Sequence, residues 1–203
     1  MALDALAGVA AGIVIGLSLA APPGPVNALI ASHSVTRSWR SGFLVGCGAM
    51  TADAGFLVLS VVAHSALVGV RQVFPVIAIL GAAVMAYFAV GAARAWNRVP
   101  EAAPETRQAH ATSYATGLAV NATSPYPVLW WLAAGVALID QLGPAVLVGF
   151  FAGILLWISL FPYVLRTAQR RYARTYRAAL AFSIVSLVAF AVWLVWSGID
   201  ALW

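Results

Sequence analysis

The chain has 203 residues, of which 63% are hydrophobic and only 8% are charged, and its formal net charge is +5. This composition excludes a soluble globular domain, in which about a quarter of the residues are charged. The single cysteine excludes an intramolecular disulfide and a CxxC redox pair. There is no H-E-x-x-H, P-loop or G-x-S-x-G motif, so we expect no enzyme, cofactor or metal site. The three histidines share no metal-site spacing and are expected to be exposed.

Six apolar stretches reach the roughly 20 residues that a helix needs to cross a hydrocarbon core of ~30 Å. Short connections join them and use up the chain. We therefore predict an all-α integral membrane protein with a single transmembrane domain over residues 1–203. The predicted spans are 5–31, 42–63, 73–93, 114–136, 142–165 and 178–199. The longest connection is 94–113, which contains the loop 96–112.

The first span contains Pro22-Pro23-Gly24-Pro25 near its middle. Proline removes a backbone donor and clashes with the preceding turn, so the helix should break there. The break leaves N–H and C=O groups unpaired at a depth where only protein or a water-filled cavity can satisfy them. The amide of Asn27 follows the break, where it can either satisfy freed backbone groups or contact a polar substrate.

Asp53 is the only acid inside any predicted span, and it lies near the middle of the second. An ionisable group at that depth costs at least ~2.5–3.5 kcal/mol unless it faces a polar interior, so its default interpretation is functional. The alternative is a protonated Asp53 that donates a structural hydrogen bond. Small-residue faces at Gly42-xxx-Gly46 and Gly149-xxx-Gly153 permit close helix approach, which favours packing inside the protomer over a homodimer surface.

The fourth span contains a second cluster, Pro125-Tyr126-Pro127, which predicts a second break. Asn121 and Ser124 precede it. Asn121 can bind substrate or satisfy freed backbone groups, whereas capping is the favoured role of Ser124. Tyr126 brings a phenol to the midplane, where it needs a partner.

Two tryptophans, Trp130 and Trp131, lie one turn beyond the second cluster. One of them could wall a cavity at the break, while the other packs toward lipid. Trp130 is the candidate for the cavity wall.

The arginines are distributed unevenly among the predicted loops. Ten of the eleven follow the first, third or fifth span, and only Arg71 lies in an even-numbered connection. The positive-inside rule places the odd-numbered loops in the cytoplasm and both termini in the periplasm of a bacterial inner membrane. A basic segment at 166–177 could bind anionic lipid or nucleic acid, but no basic domain accompanies it.

The two halves of the chain, about 1–95 and 113–203, resemble each other. At an offset of 102–103 residues, Pro23-Gly24-Pro25-Val26 aligns with Pro125-Tyr126-Pro127-Val128. Three spans in each half force opposite orientations, which predicts two inverted three-helix repeats with helices 1 and 4 broken at prolines. In transporters, broken helices in corresponding positions mark the substrate site.

These features together resemble the LysE/RhtB family of bacterial amino-acid exporters over essentially the whole chain. The resemblance rests on Ala21-Pro22-Pro23-Gly24-Pro25, on the glycine-rich stretch 42–53 that ends in Asp53, and on 117–121 before the second break. Family members commonly have Asn-Pro-Lys where this chain has Ser124-Pro125-Tyr126. The resemblance implies secondary export of small amino-acid-like solutes.

The sequence therefore predicts an alternating-access exporter in which Asp53 pairs with a substrate ammonium group or carries a coupling proton. One intramembrane acid balances one ammonium group, so neutral amino acids are favoured over dibasic ones. A divalent-metal exporter, which would need several ligands, and a non-transport membrane scaffold are the alternatives. The predicted substrate-binding residues are Pro23, Gly24, Pro25, Asn27, Asp53, Asn121, Ser124, Pro125, Tyr126 and Trp130.

Overall fold

A computed structural model describes residues 2–22, 24–62, 70–97, 106–124, 127, 131, 142–172 and 174–200. Within these ranges the protein contains seven α-helices and no β-strand. The helices are α1 (Ala2–Ala20), α2 (Pro25–Thr36), α3 (Trp39–Val62), α4 (Val70–Ala95), α5 (Arg107–Ala122), α6 (Ala145–Arg171) and α7 (Arg174–Asp200).

Three of the described helices are long and apolar enough to cross a bilayer: α3 over Trp39–Ser60, α6 and α7. The pair α1 and α2 passes the same test together, although its two helices are bent by 77°. The described residues thus contain three candidate spans, or four if the bent pair is one broken span. The protein is a multi-pass, all-helical membrane protein, and the six-span arrangement stays a prediction.

The proline cluster of the first span separates α1 from α2. α1 ends at Ala20, Gly24 is extended with φ −168°, and Pro25 occupies the first turn of α2. Proline suits that position because the first N–H groups of a helix have no intrahelical acceptor. We call residues 21–24 the first break.

The helix before the second proline cluster begins earlier than the sequence predicts. α5 starts at Arg107 rather than near residue 114, because the Thr106 side chain accepts a hydrogen bond from the Ala109 N–H at 3.1 Å. This is an ordinary N-cap, which satisfies one of the unpaired amides of the first turn. α5 ends at Ala122, and Pro125 and Tyr126 lie outside the described residues.

The helices pack chiefly in three pairs: α1 with α6, α3 with α5, and α4 with α7. The first pair is in backbone contact through glycines. A Cβ at Gly12 would collide with the Val146 carbonyl, and one at Gly149 would collide with the Val9 carbonyl. The predicted small face of α6 therefore packs inside the protomer, as expected for close-packed membrane helices.

The pair α3 and α5 is equally close. A Cβ at Gly48 would collide with the Tyr114 carbonyl, and one at Gly117 with the Val45 carbonyl. α2 lies among the other helices, contacting α3, α5, α6 and α7, and residues 27–35 are all buried. A helix that is buried on every side within a membrane protein belongs to its interior rather than to the lipid face.

One expectation about the histidines is wrong. His33 on α2 is only 8% exposed, and its Nδ1 lies 3.0 Å from the Ser113 hydroxyl of α5. The sequence places His33 near a span end, but the burial of α2 on all sides brings the ring into the protein interior.

Candidate functional site

A cavity of about 260 Å³ lies at the first break, between the ends of α1 and α2 and the middles of α3 and α6. We call it the central cavity. Its lining includes six of the ten predicted binding residues: Gly24, Pro25, Asn27, Asp53, Asn121 and Ser124. The other four, Pro23, Pro125, Tyr126 and Trp130, lie outside the described residues.

Asp53 is the only charged side chain among the described residues that line the central cavity. It is 7% exposed, and the indole Nε1–H of Trp131 donates to its Oδ1 at 3.3 Å. The side-chain amide of Asn121 faces the same carboxyl group. Both described contacts are with neutral groups, so neither of them supplies a positive charge to this acid.

Asn121 also ties α5 to α3 next to the acid. Its Nδ2 donates to the backbone carbonyl of Ala49, one turn before Asp53, at 2.8 Å. The amide thus bonds a backbone carbonyl of α3 and lines the cavity, and its contact with a substrate stays a prediction. This bond is one of several contacts that join α5 to the helix that carries Asp53.

Asn27 satisfies the carbonyl groups that the first break sets free. Its Nδ2 donates to the carbonyl of Ala20 at 2.6 Å and to that of Pro22 at 2.7 Å. Its Oδ1 accepts the indole N–H of Trp157 from α6 at 3.0 Å. Of the two roles proposed for Asn27, the structural one is thus directly visible, and it fixes the course of the chain between α1 and α2.

The α2 N-terminus opens on the central cavity. Gly24, Pro25, Val26 and Asn27 all line it, and no side chain caps this helix end. The first amides of a helix have no intrahelical acceptor, and the helix dipole places partial positive charge there. This end of α2 is therefore suited to an anionic group such as a carboxylate.

The sequence favours Ser124 as a capping residue, and the structure shows a hydrogen bond to the end of α5 from its neighbour Thr123. The hydroxyl of Thr123 donates to the Ala119 carbonyl at 2.8 Å, which satisfies an acceptor at the end of α5. Ser124 is buried and lines the central cavity. Sequence reasoning missed Thr123, although threonine beside a helix end is a common capping signal.

The remaining walls of the central cavity are apolar, and the sequence did not single them out. The expectation that the tryptophan beside Trp130 packs toward lipid is wrong. Trp131 is 1% exposed, its N–H contacts Asp53, and its ring packs edge-on against that of Phe150 with centroids 5.0 Å apart. No local signal separates wall residues from lipid-facing residues of the same type, because both are apolar. The wall residues outside the predicted set include Leu19, Val26, Ile30, Met50, Ile154, Trp157, Ile158 and Phe190.

The described residues contain no group of three His, Cys, Asp or Glu side chains close enough to hold a metal ion. Divalent cations require several oxygen, sulfur or imidazole ligands, whereas the described lining of the central cavity provides one carboxylate. Its chemistry matches a small organic ammonium compound better than a metal ion.

Comparison with known proteins identifies a family that matches most of the chain. The model of the family described as LysE type translocator matches residues 17–198. YcgF of Bacillus subtilis, whose name assigns it provisionally to amino acid efflux, is 24% identical over 200 residues, which are 94% of this chain and 96% of its own. ChpE of Pseudomonas aeruginosa, named a chemotactic transduction protein, is 28% identical over 151 residues, which are 72% of this chain and 74% of its own.

No solved structure matches the chain significantly. The family match extends from the end of α1 nearly to the end of α7, and it includes every described polar residue of the central cavity. The protein is accordingly a membrane transporter rather than an enzyme, and the chain belongs to the LysE type translocator family.

Proposed function

We propose that this transporter exports neutral amino acids, or close derivatives of them, across the bacterial inner membrane by alternating access. One observation carries the proposal. The central cavity combines a single buried acid, Asp53, with the uncapped N-terminus of α2 in otherwise mostly apolar surroundings. An amino-acid zwitterion carries one positive and one negative group, which these two features complement.

Asp53 would bind the substrate ammonium group or carry the coupling proton. A charge-assisted hydrogen bond to a carboxylate is roughly twice as strong as a neutral one, and the low dielectric of the membrane interior strengthens it further. Trp131 and Asn121 would hold the carboxylate in place without neutralising it, since both are uncharged.

The cavity lining also favours a substrate with one positive charge. The described lining contains no second acid, so a dibasic amino acid would bury its side-chain ammonium without a partner. An unpaired buried charge costs several kcal/mol, by order of magnitude. Leu19, Met50, Ile154 and Phe190 instead offer apolar contact to an apolar substrate side chain.

The packing of the helices supports an inverted repeat with repeats at about 1–95 and 113–203. A half-turn that exchanges the repeats would exchange α1 and α2 with α5, α3 with α6, and α4 with α7. It would therefore map the α1–α6 contact onto the α5–α3 contact and the α4–α7 contact onto itself, and these are the three main pairs. Six spans with both termini in the periplasm and the loop 96–112 in the cytoplasm complete the proposed topology.

The test is uptake into proteoliposomes that contain the purified protein. Radiolabelled L-leucine, L-methionine and L-phenylalanine should enter faster than into empty liposomes, whereas L-lysine and Mn²⁺ should not. A pH gradient applied across the membrane would separate proton coupling from exchange. Uptake of lysine or Mn²⁺ in place of all three neutral amino acids would overturn the proposal.

A further inference from the structure

We infer that Trp157 is a positioning residue, which acts through Asn27 to orient the N-terminus of α2 toward a substrate carboxylate. The inference rests on the proposed function and deepens it, because it names the residue on which recognition of the carboxylate depends. The observation behind it is the hydrogen bond from the indole Nε1–H of Trp157 to Oδ1 of Asn27 at 3.0 Å.

Three hydrogen bonds determine the orientation of the Asn27 amide. Its Nδ2 has two hydrogens, and both have acceptors, the carbonyls of Ala20 and Pro22. Its Oδ1 faces a group that can only donate, since the indole nitrogen has no acceptor capacity. A flipped amide would lose all three hydrogen bonds, so the three partners together determine a single orientation.

Trp157 is held in place by its neighbours on α6. Its ring stacks on that of Phe161, one turn further along α6, with centroids 5.1 Å apart and an angle of 14° between the planes. The next residue, Ile158, packs against Gly46 of α3, where any added Cβ would press on its side chain. The indole is thus held by α6, which in turn packs on the helix that carries Asp53.

Side-chain contacts connect the two ends of the central cavity. Contacts run from α3 through Gly46 and Ile158 to Trp157, and from Trp157 through Asn27 to the start of α2. They set where the α2 amides lie relative to Asp53. A substrate that uses both groups depends on that separation, whereas an amine that contacts only Asp53 does not.

The experiment compares L-leucine with isoamylamine, which is leucine without its carboxylate. KM is measured for leucine uptake into proteoliposomes, and Ki is measured for isoamylamine as a competitor. Trp157→Phe keeps one aromatic ring that can stack on Phe161, and it removes the N–H donor together with the second ring of the indole. It should raise the KM for leucine about fivefold to tenfold, the value of one ordinary hydrogen bond, and change the Ki of the amine less than about twofold.

A double-mutant cycle tests whether Trp157 acts through Asn27. Asn27→Ala should also raise the KM for leucine, and adding Trp157→Phe to it should cause no further rise, because coupled residues are not additive. Trp196→Phe is the matched control, since Trp196 lies on α7 and is 74% exposed. It should leave both constants unchanged.

Several outcomes would overturn the inference. The inference would be wrong if Trp157→Phe changed the KM for leucine and the Ki of isoamylamine equally. It would also be wrong if the two substitutions had additive effects, or if isoamylamine did not compete at all. If Trp157→Phe does not reach the membrane, Trp157→Tyr replaces it, since tyrosine keeps a hydrogen-bond donor. Its KM for leucine should lie between those of the wild type and Asn27→Ala. A KM equal to or above that of Asn27→Ala would contradict the inference. Wild-type protein that takes up no neutral amino acid would instead overturn the proposed function itself.

Discussion

Trp131 and Asp53 meet across the two halves of the chain, with the indole Nε1 3.3 Å from Oδ1 of the carboxyl group. The only acid of the predicted spans is thereby held by a neutral donor and keeps its capacity to pair with a cation. Trp157 and Asn27 form a second such contact at the first break. In both contacts the tryptophan belongs to the second half and its partner to the first.

The first prediction concerns the charge of Asp53. Asp53→Asn retains the shape and removes the negative charge, so leucine uptake should fall roughly tenfold to a hundredfold, the value of a charge-assisted hydrogen bond. Asp53→Glu should retain part of the activity because it displaces the charge by one methylene. Asp200→Asn at the exposed end of α7 is the matched control. Normal uptake by Asp53→Asn at equal membrane abundance would reduce Asp53 to a structural role.

The second prediction concerns the donor to Asp53. Trp131→Phe should preserve the edge-on packing against Phe150 and leave the carboxylate less well oriented. Because the carboxylate loses one donor that orients it, while its charge remains, the KM for leucine should rise about threefold to tenfold, less than on removal of the charge. Thermal unfolding in detergent, measured alongside, should shift little. A large loss of stability with an unchanged KM would assign Trp131 to packing alone.

The third prediction concerns close helix packing. Gly117→Ala should destabilise the protein by about 1–3 kcal/mol, because the new methyl group collides with the Val45 carbonyl and α5 must move away from α3. Gly55→Ala on α3 is the control, since a Cβ there has no neighbour within 4 Å. Thermal unfolding of both variants tests this. Equal unfolding temperatures for the two would show that α3 and α5 are less closely packed than described.

The fourth prediction concerns topology and follows from the distribution of arginines. Reporter fusions after Arg40, Arg98 and Arg171 should report the cytoplasm, because basic loops are retained on that side. Fusions after Leu67, Asp140 and Trp203 should report the periplasm. A C-terminal reporter found in the cytoplasm would be incompatible with six spans and an outside N-terminus.

The sequence by itself determined those features of this protein that depend on the local chemistry of single residues. A composition with 8% charged residues is typical of a membrane protein. The clustered prolines Pro22 and Pro25 predict a helix break, whereas the isolated Pro162 lies inside α6. Asp53 could be predicted as a candidate site residue because a buried acid is costly at any position in a span. The polar residues around the breaks followed from the same reasoning, and the structure brings Asn27, Asp53 and Asn121 to one cavity.

Only the tertiary structure decided which apolar residues form the central cavity. Trp157, Met50 and Phe190 have the same local preferences whether they face lipid, a neighbouring helix or a cavity, because lipid tails are as apolar as their side chains. The bond from Trp157 to Asn27 joins residues 130 positions apart, and no periodicity within one helix encodes it. Such contacts arise from the packing of α6 against α1 and α3, which the glycine faces permit but do not specify.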